Sequence, residues 1–192
     1  MTIKAGKRFS ALLGLSSLLL LSGTATTARA EGRHGLSFGV AAGAGLVSST
    51  TCLDQSCQSA KFGRWTLPNI TVGYFVRPDL SLQLILAGGV HREGGRQRAF
   101  DALLFAARYW LVGPLWVSAG LGIGEELPPA YATQGPVYLG SGAMGGLGID
   151  VWKTEGFTID LQARATVGRL GLGNEASRDD SALDALVGVT WY

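Results

Sequence analysis

The segment LWVSAGLGIG, residues 115–124, decides the fold because its aliphatic residues fall at every second position. In an extended strand successive side chains point to opposite faces, so the leucines, valine and isoleucine of this segment share one face. Trp116, Ser118 and three glycines lie on the other face. The segment therefore predicts a β-strand with one aliphatic face and an opposite face of mostly small or polar residues.

The same alternation recurs along the chain and predicts eight strands, each with one face free of charge. The other seven strands are residues 36–46, 69–76, 80–87, 100–109, 138–151, 157–167 and 183–191. Both faces of residues 100–109 are apolar, and Arg108 decides the orientation because a charge facing lipid costs ~2–4 kcal/mol. Arg108 and the Gly113-Pro114 pair also interrupt the longest apolar stretch, which favours a hairpin over a membrane helix.

Segments of about ten residues are long enough to cross a bilayer as tilted strands, and their connections alternate in length. The predicted short turns are residues 77–79, 111–114 and 153–156. The predicted long loops are residues 48–64, 91–98, 125–135 and 169–180. Short turns at one rim and long loops at the other are typical of outer-membrane barrels. The sequence predicts an all-β fold, an eight-stranded antiparallel up-and-down transmembrane β-barrel.

The charged face of these strands indicates which side meets lipid. A soluble ligand-carrying barrel places its apolar face inside, whereas here the charge-free face is continuous and the opposite face holds Gly, Ser, Thr and charged residues. We therefore place the charged face in the lumen. We predict a lumenal ion-pair network among Arg108, Asp160, Arg164 and Asp184, with separate solvation of these side chains by trapped water as the alternative.

Aromatic residues gather near the predicted strand ends, where amphipathic rings prefer the lipid headgroup level. The sequence therefore predicts two aromatic girdles. At the rim with short turns they are Tyr74, Trp110, Trp116, Trp152, Phe157, Trp191 and Tyr192, and at the other rim Trp65, Phe100, Tyr131 and Tyr138.

The first 30 residues are typical of a secretory signal peptide. A basic start, an apolar run over residues 9–21 and an A-x-A motif predict cleavage between Ala30 and Glu31. Residues 31–192 then form a single barrel domain. Four of the 16 basic residues and none of the 14 acidic residues precede this cleavage site, so the mature chain carries a net charge of −2. It has no basic face for nucleic acid.

The two cysteines, Cys52 and Cys57, would meet an oxidising compartment after export, so we expect a disulfide between them. Free thiols or a metal site remain the alternatives, although no histidine or further cysteine lies nearby in the sequence.

Two features of the long-loop rim could carry chemistry. A Ser–His–acid set around His91 would make a rim-sited lipid A-modifying enzyme, but no G-x-S-x-G motif is present. Arg92, Arg96 and Arg98 could contact the phosphates of lipopolysaccharide. A solvated loop with Glu93 as their partner is the alternative.

Three segments resemble the outer-membrane protein β-barrel domain family, which is similar to the OmpA, OmpX and OmpW barrels. They are residues 72–82, 107–110 and 115–122. The resemblance implies an outer-membrane location and a C-terminal strand, residues 188–192, that the barrel-assembly machinery reads. Its outward apolar set ends at Trp191 rather than at Tyr192, and the family has no catalytic residues to carry over.

An eight-stranded barrel is just wide enough inside for its own side chains, so we expect no open pore. The expected function is a structural or surface-interaction role in the Gram-negative cell envelope, with no enzyme activity and no cofactor or metal. The alternatives are a narrow channel for small or apolar solutes and the rim enzyme. Expected partners are outer-membrane lipid, lipopolysaccharide and the assembly machinery, with a monomeric barrel.

Overall fold

The computed structural model describes residues 33–53, 56–127, 138–173 and 176–192. The predicted signal peptide and its cleavage site between Ala30 and Glu31 lie outside the described residues, as does Tyr131. The strands are β1 (Gly35–Leu53), β2 (Ser56–Thr66), β3 (Asn69–Arg77), β4 (Leu80–Glu93), β5 (Arg96–Val112), β6 (Leu115–Leu127), β7 (Tyr138–Lys153), β8 (Phe157–Gly173) and β9 (Ala176–Trp191). No helix among the described residues is long and apolar enough to cross a bilayer.

The strands close into a ring in which each pairs antiparallel with its neighbours and β9 returns to pair with β1. β2 and β3 lie end to end beside β1, because Ala44 pairs with Trp65 on β2 whereas Ala41 pairs with Asn69 on β3. The nine strands therefore fill eight positions, and the predicted eight-stranded antiparallel barrel is confirmed.

Pro68 separates β2 from β3 because proline has no backbone N–H to donate to a strand ladder. Side chains replace the missing backbone bonds on both sides of the break. Thr66 Oγ1 accepts from Gly43 N at 2.6 Å and donates to Gly43 O at 3.1 Å. Asn69 Oδ1 accepts from Gly88 N at 3.2 Å. The wall thus stays hydrogen-bonded across the break.

Three of the predicted long loops are wrong, since most of their residues are strand. Residues 48–53 and 56–64 belong to β1 and β2, and residues 169–173 and 176–180 belong to β8 and β9. Residues 91–98 form a hairpin that turns through Gly94 and Gly95, whose φ values of 56° and 78° suit a tight turn. Their polar composition resembles that of loops, but cross-strand pairing satisfies the backbone equally well beyond the apolar part of the barrel.

The first hairpin, formed by β1 and β2, carries both cysteines near its tip. Cys52 pairs in register with Cys57, their Cα atoms lie 4.1 Å apart, and the two Sγ atoms are bonded. The three predicted short turns are present, and they define one rim, here called the short-turn rim. The opposite end, which carries the long hairpins, is called the hairpin rim.

The predicted strand faces agree with the burial of the side chains along the ring. Leu36, Phe105 and Leu121 on the charge-free face are between 62% and 74% exposed, whereas Arg108 is 3% exposed. The outside of the barrel is therefore apolar and the inside holds the charges.

The aromatic girdles are only partly as predicted. Trp65, Trp152 and Trp191 point outward and are exposed, but Trp110, Trp116 and Phe100 are buried in the lumen. Alternation along the strand decides this outcome, because Trp110 shares the face of Arg108 on β5. The position of a residue near a strand end indicates its depth in the bilayer. Its odd or even position along the strand, here called its parity, decides whether the side chain faces lipid or the lumen.

Gly148 on β7 makes room for the lumenal ring of Trp116. A Cβ at Gly148 would lie 2.3 Å from Trp116 Cζ2 and 2.6 Å from the carbonyl oxygen of Leu161. We expect Gly148→Ala to lower the free energy of unfolding by about 1–3 kcal/mol, measured by urea titration in detergent micelles. Gly145→Ala is the matched control because a Cβ there meets nothing within 4 Å. Equal stability of the two variants would contradict this packing.

Candidate functional site

The outer surface carries a continuous belt of apolar side chains around the ring. At the hairpin rim the belt ends at Leu46, Leu86, Leu103, Ile123, Val167 and Leu183, all of them exposed. Polar side chains follow on the same outward faces, such as Ser48 on β1 and Asp179 on β9. A surface of this kind faces hydrocarbon in membrane barrels, because a soluble protein rarely exposes so large an apolar area.

An aromatic plug fills the lumen at the short-turn rim. It consists of Phe75, Trp110, Trp116 and Tyr192. The rings of Phe75 and Trp110 lie 5.6 Å apart, and Tyr192 meets Phe75 edge-on at 5.9 Å. Arg33 lies over the Trp110 ring at 4.2 Å and pairs with Asp150, which also accepts the Trp110 indole N–H. This end of the lumen is therefore closed by packed rings and one ion pair.

The middle of the lumen holds the first two predicted network residues. Arg108 NH1 lies 3.5 Å from Asp160 Oδ2, and the Arg108 guanidinium lies 4.0 Å from the centre of the Trp116 ring. Gln162 Nε2 donates to Asp160 Oδ1 at 2.6 Å. Arg108 and Asp160 are thus brought together, with Asp160 bridging to the amide of Gln162.

Arg164 and Asp184, the other two predicted residues, have different principal partners. Arg164 donates to Gln162 Oε1 at 2.9 Å and to Asn69 Oδ1 at 3.0 Å. Asp184 accepts from Nε and NH2 of Arg64, each at 2.8 Å, in a two-bond pair whose side chains are 2% exposed. Sequence analysis missed Arg64 because it assigned this residue to a loop.

A mouth cluster of charged residues fills the lumen at the hairpin rim. It consists of Arg178, Glu93, Arg98, Glu126 and Asp180. Arg178 is buried and lies 3.0 Å from Glu93 and 3.1 Å from both Asp180 and Glu126. Arg98 NH1 donates to Glu126 Oε1 at 2.6 Å. Burial raises the pKa of Glu126, and the hydrogen bond from Arg98 opposes that rise. Glu93 is therefore part of the mouth cluster rather than a solvated loop residue.

A lateral cleft opens where the first two hairpins separate. β2 pairs with β4 from Arg64 to Thr66, and between Ser56 and Gly63 it pairs with β1 alone among the described strands. The cleft has a volume of about 560 Å³. Its lining residues are Phe62, Gly63, Trp65, Val90, His91, Arg92 and Gln97. Two strands thus diverge above the belt and leave a cavity on the flank of the barrel.

His91 lines this lateral cleft and is 3% exposed, with its ring 5.4 Å from that of Phe62. Burial lowers the pKa of His91, and the positive charge of Arg178 lowers it further. Neither ring nitrogen has a hydrogen-bond partner in the described part of the chain. Within that part no serine or carboxylate hydrogen-bonds His91 as a catalytic triad requires, and Ser49 bonds Arg178 instead.

The described residues place no group of three or more His, Cys, Asp or Glu side chains where they could hold a metal ion. The two cysteines are joined to each other.

A closed antiparallel barrel with an apolar exterior and a polar, filled interior is the architecture of small outer-membrane barrels. No family model and no curated protein matches the chain. Among solved structures, neisserial surface protein A (NspA) gives a TM-score of 0.51 at 17% identity, covering 80% of this chain and 96% of that one. The chain therefore has the fold of small outer-membrane β-barrel proteins.

Two further solved structures resemble the chain less closely in shape. Ail of Yersinia pestis gives a TM-score of 0.45 at 12% identity, covering 81% of this chain and 99% of that one. OprG from Pseudomonas aeruginosa gives 0.44 at 14% identity, covering 83% and 97% respectively.

Proposed function

We propose that the chain is an outer-membrane barrel with a closed lumen, whose hairpin rim carries an interaction role at the cell surface. The observation that carries this proposal is the inverted distribution of its side chains. Leucines and aromatic residues are exposed all around the belt, while arginines and aspartates are buried inside. Hydrocarbon around the barrel suits the exposed apolar side chains, while the buried charges are satisfied by pairing with one another in the lumen. Water around the barrel would leave the whole apolar belt exposed to it.

The orientation in the membrane follows from the two rims. Long hairpins face the outside and short turns face the periplasm in barrels of this class. This orientation places the mouth cluster and the lateral cleft at the cell surface and the aromatic plug at the periplasmic end. Export by the predicted signal peptide, and recognition of residues 188–192 by the assembly machinery, belong to the same proposal.

The closed lumen argues for an interaction role rather than transport. Aromatic rings obstruct one end, ion-paired arginines obstruct the middle, and the mouth cluster obstructs the other end. Each obstructing side chain is held by at least one partner, so a solute would have to break several buried contacts to pass.

Two measurements on the full-length protein test this proposal. We expect it in the outer-membrane fraction with heat-modifiable gel mobility, and we expect no unitary conductance above background in planar bilayers. An open porin inserted in the same bilayers is the positive control. Steady unitary currents from the folded protein would favour the narrow channel instead, and a mature chain that stays soluble without detergent would overturn the membrane assignment.

A further inference from the structure

The lateral cleft opens sideways, toward the lipid headgroups rather than only toward the medium. Four of its lining residues lie on outward faces of β2 and β4, namely Gly63, Trp65, Val90 and Arg92. Val90 follows Leu86, the last belt residue of β4, by four positions, which is ~13 Å along a strand. A lipid whose acyl chains cover Leu84 and Leu86 therefore carries its headgroup at the height of this cleft.

The exposed charge at the cleft is positive. Arg92 lines it, and Lys61 lies two positions beyond Gly63 on the same outward face of β2. Neither cation has an ion-pair partner in the described segments of the chain, and no carboxylate lines the cleft. Glu93 is engaged by Arg98 and Arg178. An anionic occupant would thus find two exposed cations that no neighbouring acid neutralises.

The uncharged lining suits a saccharide. The Trp65 ring is 73% exposed and offers an apolar face on which a sugar ring can stack. Gln97 is exposed and its side-chain amide offers both a donor and an acceptor. A sugar hydroxyl can donate to the amide oxygen of Gln97 and accept from its amide nitrogen.

From this placement we infer that the lateral cleft binds the phosphorylated saccharide headgroup of lipopolysaccharide in the surrounding leaflet. Trp65 stacks on a sugar ring, Arg92 and Lys61 pair with a phosphate, and Gln97 bonds hydroxyl groups. This inference rests on the proposed outer-membrane location and names the partner of the surface site. The continuity of Val90 and Trp65 with the belt favours a lipid of the same leaflet over a peptide from the medium.

The test uses the folded full-length barrel in detergent micelles and two soluble probes. The probes are deacylated lipopolysaccharide, which keeps its phosphates, and the same oligosaccharide after enzymatic removal of phosphate. We expect saturable binding of the phosphorylated probe by calorimetry and about tenfold weaker binding of the dephosphorylated probe. We expect Trp65→Ala and Arg92→Gln each to weaken binding of the phosphorylated probe about tenfold.

Two matched variants control for nonspecific effects on the barrel. Trp152→Ala removes an equally outward tryptophan at the short-turn rim, and Arg169→Gln removes an exposed arginine at the hairpin rim outside the cleft. Both are expected to bind the phosphorylated probe as the unchanged protein does. Heat-modifiable mobility is measured on every variant so that a folding defect is recognised.

Three results would overturn the inference. They are no saturable binding of the phosphorylated probe, unchanged affinity in the Trp65→Ala/Arg92→Gln double variant, and equal competition by an acidic peptide. If the barrel fractionates with the outer membrane and does not bind the probe, only this inference fails. If the chain is absent from the outer membrane, the proposed function fails with it.

Discussion

Arg64→Met is expected to lower the free energy of unfolding by ~3–5 kcal/mol, because it leaves a buried aspartate without its counter-charge. Asp184 accepts both of its hydrogen bonds from Arg64, and neither side chain is more than 2% exposed. Urea unfolding of the folded barrel in detergent micelles, followed by tryptophan fluorescence, measures the loss.

Two further variants separate the buried pair from arginine loss in general. The double variant Arg64→Met/Asp184→Leu should recover most of the stability, because it removes both charges and fills the space with apolar atoms. Arg169→Met should cost less than about 1 kcal/mol, since Arg169 and Asp179 are exposed and lie 3.7 Å apart. A similar decrease in the free energy of unfolding in Arg64→Met and Arg169→Met would contradict the claim that breaking the buried pair is more destabilising than breaking an exposed one.

Arg178→Met is the second substitution with a large expected effect, again ~3–5 kcal/mol at neutral pH. Arg178 is the cation that Glu93, Glu126 and Asp180 share at the hairpin rim. Without it, Arg98 remains as the counter-charge for Glu93 and Glu126. Unfolding in urea is again the measurement, and Arg178→Lys is the control that retains a positive charge.

The loss in Arg178→Met is expected to depend on pH. Glu126 has a raised pKa in the folded protein because it is buried, so the folded state favours the protonated carboxyl. The stability contributed by such a group is fully present below its unfolded pKa and is lost as the pH rises through its folded pKa. Removing Arg178 raises the folded pKa further, so the deficit should be largest near neutral pH and shrink toward the ordinary glutamate range. A deficit that stays constant between about pH 7 and pH 4 would contradict this account.

The strand faces could be predicted because a period of two leaves little freedom once one face is buried. In the segment 115–124 every large aliphatic residue that was placed outside is exposed. Arg108 fixed the orientation of β5, whose two faces are otherwise similar in hydropathy. Architecture and inside-outside assignment therefore follow from local pattern alone.

The partners inside the lumen could not be predicted, because they depend on register between strands distant in sequence. Arg64 and Asp184 are 120 residues apart, and Arg178 reaches Glu93 across 85 residues. The segments that carry Arg64 and Arg178 are polar in composition, so they were predicted to be loops rather than strands. The alternation of Phe62, Arg64 and Thr66 on β2 is the signal that could have placed Arg64 inside.

The aromatic plug at the short-turn rim also could not be predicted from position along the chain. Trp110 and Trp116 lie at strand ends, as membrane-interface tryptophans do, yet both point inward. Trp116 lies under the guanidinium of Arg108 and across from Gly148, and the two contacts together explain why a large ring is tolerated there. The depth of a residue in the bilayer and its parity along the strand are independent. Only the parity decides whether an aromatic ring at a strand end joins the outer girdle or the plug in the lumen.

The divergence of β2 from β4 also has a consequence for self-association. A closed barrel has no free edge, but between Ser56 and Gly63 β2 pairs with β1 alone among the strands that the structure describes, so its other edge has no strand partner there. Such an edge is a template on which a second extended chain can add. Its small polar side chains and the charge of Lys61 oppose edge-to-edge joining of two copies, so this short length of open strand is protected by composition rather than by a covering element.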